Sequence, residues 1–218
     1  MTQPCRYSCA FVRCALLVAA LLSVASSAYA QTVAAGLNHT LILKSDGTVW
    51  SVGADNFGQL GDDNNTTPKK SPVQVSGLSG VIAVAAGDNH SMAITNTGAL
   101  YLWGRNFYGQ IGDNNAPTDR KTPVQSSLTN IVAIAAGAEF SAALNSSGQV
   151  FVWGRDNKGQ LGDGSSGAND KTTQPGSALT SGVAAIAAGS EFLLVVKTDG
   201  KVSGLPKFLP HFDIKRVD

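Results

Sequence analysis

The chain has 218 residues, three cysteines and a formal net charge of +1. A nearly neutral chain has no general electrostatic attraction for nucleic acid or for an anionic membrane, so neither is expected as a partner.

Residues 1–30 are typical of a secretory signal. Arg6 and Arg13 make a basic start, an apolar run follows from Cys14 to Leu22, and Ala28-Tyr29-Ala30 places small residues where a signal peptidase cleaves. We predict cleavage after this segment, before Gln31, and a secreted or periplasmic mature protein. An uncleaved anchor is the alternative, but the run is shorter than the roughly 20 residues that span a bilayer.

Cleavage changes the chemistry that the chain can carry. All three cysteines precede the cleavage site, so the mature protein is expected to have no disulfide, no thiol nucleophile and no cysteine metal site. Loss of Arg6 and Arg13, with no acidic residue lost, changes the formal charge from +1 to −1.

Two phrases recur at a nearly constant spacing, which is the mark of a repeat protein. The glycines that end the first phrase are 51, 50 and 52 residues apart, and those of the second are 51 and 50 apart. The first phrase occurs at Val33-Ala34-Ala35-Gly36, Val84-Ala85-Ala86-Gly87, Ile134-Ala135-Ala136-Gly137 and Ile186-Ala187-Ala188-Gly189. The second occurs at Gly58-Gln59-Leu60-Gly61, Gly109-Gln110-Ile111-Gly112 and Gly159-Gln160-Leu161-Gly162.

The second copy shows what one repeat contains. Val81–Ala86 is an apolar run that predicts a strand buried on both faces, and Ser91–Ile94 predicts a second strand. The turn Asn96-Thr97-Gly98 joins it to Ala99–Trp103 in a hairpin, and Pro123–Gln125 predicts a closing strand. Four short strands in each repeat predict an all-β fold, a β-propeller of four-stranded blades. A β-solenoid is the alternative.

The repeat resembles that of the regulator of chromosome condensation family. The residues that carry the resemblance in the second copy are Ala85-Ala86-Gly87-Asp88-Asn89-His90-Ser91, Trp103-Gly104-Arg105-Asn106, Gly109-Gln110-Ile111-Gly112 and Pro123-Val124. The resemblance runs from Val33 to about Val202 and implies a seven-bladed propeller. We place the repeats at residues 31–80, 81–130, 131–182 and, in part, 183–202.

The fourth copy departs from this pattern, because its aromatic strand and Trp-Gly are missing. Pro206 and Pro210 disfavour a continued strand, so residues 203–218 are predicted to be a non-repeat tail from a frameshifted or truncated gene. The propeller is then incomplete, with about 3.5 of the expected seven blades. Its open blade edges are expected to promote self-association.

Two kinds of residue are interpreted as packing rather than chemistry. His39 and His90 share their position with Phe140 and Phe192, and a position that accepts phenylalanine favours packing. Trp103 and Trp153 fit packing between blades, with a sugar-stacking platform as the alternative. The Gly-Gln-Leu-Gly phrase is interpreted as a turn.

The polar loops are the candidate binding elements. They begin at Asp62, Asp113 and Asp163, and each is expected to emerge on the same face of the propeller. Their oxygen ligands leave calcium as an alternative, although the EF-hand pattern is absent. The candidate partner-binding residues are the late basic ones: Lys69, Lys70, Arg120, Lys121 and Lys171.

Three functions are considered. The first is a non-catalytic extracytoplasmic scaffold that binds a protein through the loops of one face, with no metal or cofactor. The second, implied by the resemblance, is a guanine-nucleotide exchange factor for a small GTPase, which the signal and the mature charge disfavour. The third is a propeller enzyme acting on polysaccharide, which would need paired carboxylates in one cavity.

Overall fold

The computed structural model describes residues 32–63, 66–162 and 180–205. Every regular element in these ranges is a β-strand, so the predicted all-β class is confirmed. The same ranges contain no helix with the length and apolar character needed to cross a membrane. All of the described ranges belong to the unit of residues 31–218.

The strands form four antiparallel sheets that follow one another along the chain, and each sheet is called a blade. Blade 1 contains β1–β4 at Thr32–Ala35, His39–Leu43, Val49–Gly53 and Lys69–Gln74. Blade 2 contains β5–β8 at Val81–Ala86, His90–Thr95, Leu100–Gly104 and Arg120–Gln125. Blade 3 contains β9–β11 at Ile131–Ala136, Phe140–Asn145 and Val150–Gly154. Blade 4 contains β12–β14 at Val183–Ala188, Leu193–Lys197 and Val202–Leu205.

The blades are arranged around their first strands. Strand β5 contacts β1, β9 contacts β5, and β12 contacts β9. Backbone hydrogen bonds follow the same order: Asp88 N–H donates to the Ala138 carbonyl at 3.0 Å, and Ala138 N–H donates to the Ser190 carbonyl at 2.9 Å. Successive sheets that meet along their innermost strands make a β-propeller, which confirms the predicted architecture.

The hydrophobic core lies between blades rather than inside any one of them. Leu41 and Val49 of blade 1 pack in one cluster with Val84 and Trp103 of blade 2. The next cluster joins blades 2 and 3, and a third joins blades 3 and 4. Each blade therefore depends on its neighbours for burial of its apolar side chains, as expected for a repeat fold.

A polar clasp joins blade 1 to blade 2, and it recurs between blades 2 and 3. The Gln59 carbonyl accepts hydrogen bonds from Ser91 Oγ and Trp103 Nε1, both at 2.9 Å. The Gln110 carbonyl accepts the same pair of bonds from Ser141 and Trp153, both at 2.8 Å. The turn that carries the carbonyl is the Gly-Gln-Leu-Gly phrase, so its interpretation as a turn is confirmed.

The glycine that ends this turn is required by the clasp. A Cβ atom at Gly61 would lie 2.7 Å from Trp103 Nε1, and Gly61 has a φ of +70°. Any larger residue would both strain the backbone and push the tryptophan of the next blade away.

In blades 1 to 3, two connections leave from the same edge of the sheet. In blades 1 to 3 the first residue of the second strand pairs with the glycine that ends the third strand: His39 with Gly53, His90 with Gly104 and Phe140 with Gly154. The loop before the second strand and the connection after the third strand therefore leave from the same edge, which we call the loop face. For the polar loops that begin at Asp62 and Asp113, this arrangement agrees with the expectation of a shared face, while the loop that begins at Asp163 lies outside the described ranges.

The first strand of blade 2 differs from the prediction of burial on both faces. Ile82 is 56% exposed. Val81 pairs with Thr95 and Ala83 pairs with Ile94, so Ile82 is the extra residue of a β-bulge. A bulge redirects the side chain of its extra residue, and periodicity alone does not reveal it. Val132 in blade 3 is exposed at the equivalent bulge.

The end of the fourth repeat also differs from the prediction. Strand β14 runs from Val202 to Leu205, three residues beyond the predicted end of the repeat. It pairs with β13 throughout, and the pairing of Leu193 with Leu205 repeats that of Ser141 with Trp153. Strand pairing uses backbone groups and does not need the aromatic side chains that the third repeat has. Residues 206–218 lie outside the described ranges.

Candidate functional site

His39 and His90 are structural. The Ser91 hydroxyl donates to the Gln59 carbonyl, and the Ser141 hydroxyl donates to the Gln110 carbonyl. Each serine oxygen is therefore the acceptor for a histidine: His39 Nε2 donates to Ser91, and His90 Nε2 donates to Ser141, both at 3.0 Å. Burial lowers the pKa of His39 to about 4. Burial, with a smaller contribution from the charge of His39, lowers the pKa of His90 to about 3. Both imidazoles are neutral near pH 7 and extend the clasp between blades.

The tryptophans are also enclosed. Trp103 and Trp153 have no exposed surface, so neither offers a platform for a sugar. The packing interpretation is confirmed, and the stacking alternative is excluded for these two residues.

Two of the candidate basic residues are held by the acids of their own loops. Lys69 and Arg120 begin β4 and β8 on the loop face. Lys69 Nζ lies 3.6 Å from Asp62 Oδ2, and Arg120 Nη2 lies 2.5 Å from Asp113 Oδ2. In these two loops the early acid and the late base therefore form an ion pair, which engages the carboxylates that a calcium site would use.

The remaining candidate basic residues are Lys70, Lys121 and Lys171. Lys70 and Lys121 are exposed on the loop face. The backbone of Lys121 packs on blade 1, because a Cβ atom at Gly58 would lie 2.6 Å from Lys121 Cα. Lys171 and the cleavage residues Ala30 and Gln31 lie outside the described ranges. Partner binding by the basic residues stays a prediction.

Self-association through the blade edges stays a prediction as well. Among the described residues, the large apolar side chains exposed on the first and last blades are Val33 and Leu37 in blade 1 and Phe192 in blade 4. Within residues 32–63, 66–162 and 180–205, no three His, Cys, Asp or Glu side chains lie close enough to hold a metal ion.

A buried acid stands in the turn of blade 1. Asp55 Oδ1 accepts a hydrogen bond from Leu60 N–H at 3.0 Å, while Asp55 Oδ2 is buried without a partner. Blade 2 has Asn106 at this position, and its Nδ2 donates to Asp113 Oδ1 at 3.0 Å. In blade 1 the residue equivalent to Asp113 is Asp62, so two acids meet where blade 2 has an amide and an acid. Burial raises the pKa of Asp55, and the charge of Asp62 raises it further.

The most distinctive feature of the loop face is a group of arginine and aromatic side chains from three blades. The Arg105 guanidinium lies 4.9 Å from the centre of the Phe57 ring, 5.6 Å from that of Phe107 and 5.9 Å from that of Tyr108. The Arg155 guanidinium lies 4.5 Å from the centre of the Tyr108 ring. These distances are typical of cation–π contacts.

Glu139 joins the two arginines. Arg105 Nη1 donates to Glu139 Oε1 at 3.3 Å, and Arg155 Nη1 donates to Glu139 Oε2. The backbone assists, because Arg155 N–H donates to the Glu139 carbonyl at 3.0 Å. We call Phe57, Arg105, Phe107, Tyr108, Glu139 and Arg155 the arginine–aromatic cluster.

This cluster was not predicted from the sequence, although the sequence contains a signal for it. Arg105 and Phe107 follow the Trp-Gly of the second copy, where the first copy has Ala54 and Asn56. A comparison of the repeats position by position shows this difference. It does not show that Glu139, which is 34 residues further along the chain, meets Arg105.

The chain matches the RCC1-like domain over residues 14–205, and it belongs to that family. The match begins inside the segment predicted to be a signal. It confirms the resemblance that the repeats carry.

Similar proteins align with parts of the chain. The protein RCC2 homolog of Danio rerio is 38% identical over 76 residues, which are 34% of this chain and 15% of that protein. The secretion-regulating guanine nucleotide exchange factor of Mus musculus is 40% identical over 87 residues, which are 36% of this chain and 19% of that protein. These alignments span less than a quarter of either relative.

Among solved structures, yeast RCC1 (Prp20) in complex with Kap60 superposes with a TM-score of 0.68 and 28% identity. The superposition covers 79% of this chain and 42% of the yeast protein. It supports the propeller fold independently of the repeat pattern.

The buried histidines predict a stability that falls in acid. Their folded pKa values lie below 6.5, so the unfolded chain binds more protons, and stability present above about pH 6.5 is lost as the pH falls towards the folded values. The double variant His90→Phe, Ser141→Leu copies the pair Phe140 and Leu193. When the pH falls from about 6.5 to 5, we expect the free energy of unfolding of this variant to decrease by about 2 kcal/mol less than that of the wild type. Urea unfolding at both pH values measures this.

His39 remains in that variant, so the pH dependence is expected to become smaller without vanishing. An unchanged pH dependence would show that His90 does not titrate on unfolding.

Asp55→Asn is expected to stabilise the protein at neutral pH by about 1–2 kcal/mol, because an amide can donate where the buried carboxylate has no partner. Because the pKa of Asp55 is raised in the folded state, the folded wild type is most stable when Asp55 is protonated. The wild type therefore loses stability as the pH rises through the folded pKa of Asp55. The gain should therefore disappear below the ordinary pKa of aspartate. Denaturant unfolding across pH measures it.

The matched control is Asp46→Asn, at a fully exposed aspartate in a hairpin turn whose pKa is lowered by hydrogen bonds from Thr48. The control should not stabilise the protein. A loss of stability in Asp55→Asn at neutral pH would contradict the conclusion that the buried, unpartnered carboxylate oxygen of Asp55 destabilises the folded protein.

Proposed function

We propose that the protein is a non-catalytic extracytoplasmic scaffold that binds a protein partner through its loop face. The localisation depends on the signal predicted in residues 1–30. Membership of the RCC1-like domain family supports a role in protein interaction, since the related yeast RCC1 (Prp20) was solved in a complex with Kap60.

One observation carries the proposal. Several side chains that face the next blade recur, as in the pairs His39 and His90 or Trp103 and Trp153. On the loop face, Phe107 stands where blades 1 and 3 have asparagine, and it belongs to the arginine–aromatic cluster. A constant scaffold with variable loops on one face is the usual arrangement of a binding module.

No observation favours polysaccharide chemistry. Asp62 and Asp113, the repeated carboxylates of the described loops, form ion pairs with Lys69 and Arg120. The buried histidines donate to serines whose own protons are bound by carbonyl groups, so the described serine–histidine pairs are not arranged for nucleophilic attack.

Capture with face-specific variants tests the proposal. The tagged protein is cross-linked in the extracytoplasmic fraction of the producing cells, and captured proteins are identified by mass spectrometry. We expect at least one protein to be captured by the wild type and to be lost from the variant Lys70→Ser, Lys121→Ser, which removes two positive charges from the loop face.

The matched control is Ser45→Asp, Ser147→Asp, which makes the same change in net charge at exposed hairpin turns on the opposite edge. The control should retain the captured protein. Capture that both variants retain, or that both lose, would contradict binding through the loop face.

A second candidate is a regulator of a small GTPase that acts as a guanine-nucleotide exchange factor. The observation in its favour is the 40% identity to the secretion-regulating guanine nucleotide exchange factor of Mus musculus. A fluorescent-GDP release assay with a panel of small GTPases discriminates the two candidates. The scaffold proposal predicts no acceleration of release, and a catalytic acceleration by the wild-type chain would support the second candidate.

A further inference from the structure

We propose that the arginine–aromatic cluster binds an acidic peptide segment of a partner protein, with an apolar side chain of that segment packed on Phe107. The inference rests on the proposed function and names the partner chemistry of one part of the loop face.

The cluster presents a large apolar surface in a fixed position. Phe107 is 55% exposed, although phenylalanine is normally buried. Its ring meets Tyr108 edge to face, with 4.9 Å between ring centres and 84° between planes. The Arg105 guanidinium lies 5.6 Å and 5.9 Å from the centres of the Phe107 and Tyr108 rings. A side chain that is already ordered loses little entropy on binding, and aromatic and arginine residues are enriched in binding hot spots.

The fold does not require these side chains. Blades 1 and 3 have Asn56 and Asn157 at the position of Phe107, and blade 1 has Ala54 at the position of Arg105. Both blades form the same turn, in which Leu60 N–H donates to Asp55 and Leu161 N–H donates to Asp156. An exposed phenylalanine that the scaffold can replace by asparagine is better explained by a contact outside the chain.

The charge of the cluster selects the partner. Two arginines share one carboxylate, so the cluster carries a formal charge of +1. Lys121 adds a second positive charge next to the turn that contains Phe57. The Arg105 guanidinium lies beside the Phe107 ring, so a carboxylate that approaches Phe107 can pair with it. A peptide with an acidic residue next to an apolar one would contact both side chains.

Arginine and aromatic side chains can also stack on the bases of a single-stranded nucleic acid. The number of positive charges favours the peptide. The cluster and Lys121 together supply two positive charges, which suits a short acidic segment, whereas nucleic-acid binding needs several phosphate contacts from basic residues. The whole chain has a formal charge of +1, which becomes −1 after the predicted cleavage, so it offers no general attraction for phosphates.

Selection from a random peptide library displayed on phage tests the inference with the full chain as target. We expect an enriched family in which Asp or Glu stands beside Phe, Trp or Leu. Binding of the corresponding synthetic peptides, measured by fluorescence anisotropy, should weaken with added salt. It should fall by about tenfold or more in Phe107→Asn and in Arg105→Ala.

Both variants copy residues that other blades have, so they are expected to fold, and circular dichroism verifies this. The matched control is Ile82→Ala, which removes an equally exposed apolar side chain away from the loop face and copies Ala184 of blade 4. The control should bind the peptides as the wild type does.

The inference would be overturned by the absence of an enriched family, by a family without acidic residues, or by binding that Phe107→Asn and Arg105→Ala both retain. If the protein bound an oligothymidine probe more tightly than the peptides, and this binding depended on Phe107, the inference would be overturned in favour of nucleic acid. Peptides that are lost only in Lys70→Ser, Lys121→Ser would overturn this inference and leave the proposed function standing. Failure of the proposed function is separate, because it is measured by the capture experiment.

Discussion

The first two blade boundaries depend on a single backbone carbonyl in the turn of one blade, which the following blade binds. The Gln59 carbonyl accepts bonds from Ser91 and Trp103 of the next blade, and the serine in turn accepts a bond from His39. The carbonyl and the histidine belong to one blade, and the serine and the tryptophan belong to the next. Each clasp therefore crosses the boundary in both directions. Because every one of these groups is buried, removing one partner would leave another without a hydrogen bond, at a cost of about 1–3 kcal/mol.

This constraint explains why the third boundary changes as a set. Phe140 replaces the histidine and Leu193 replaces the serine, and both are fully buried in the cluster that joins blades 3 and 4. Replacing only the histidine would leave a buried serine without its donor, whereas replacing both keeps the boundary dry and apolar. A boundary can therefore be polar or apolar, and the intermediate combinations are unfavourable. The repeat tolerates either solution because the strands themselves pair through their backbones.

Much of the architecture could be predicted because the same sequence pattern recurs in every repeat at a nearly constant spacing. The spacing of Gly36, Gly87, Gly137 and Gly189 located every blade, and the shared position of His90 and Phe140 identified a packing site before any contact was known. What escaped prediction has physical causes. The bulge at Ile82 depends on a pairing shift of one residue, which leaves no trace in composition. The engagement of Lys69 by Asp62 depends on how a loop returns to its own sheet, and residue type alone does not show it.

The arginine–aromatic cluster escaped for a different reason. Phe57, Arg105 and Glu139 belong to three different repeats and meet only because consecutive blades place equivalent loops next to each other on one face. A repeat protein thus has two separate sets of positions. Positions that face the next blade are constrained in pairs by the clasp, so they can change only together. Positions on the loop face are constrained less uniformly. Arg105 and Arg155 share Glu139, whereas Phe107 is an exposed side chain that blades 1 and 3 replace by asparagine. The distinctive surface of this chain arises where such a replaceable residue stands beside side chains that link neighbouring blades.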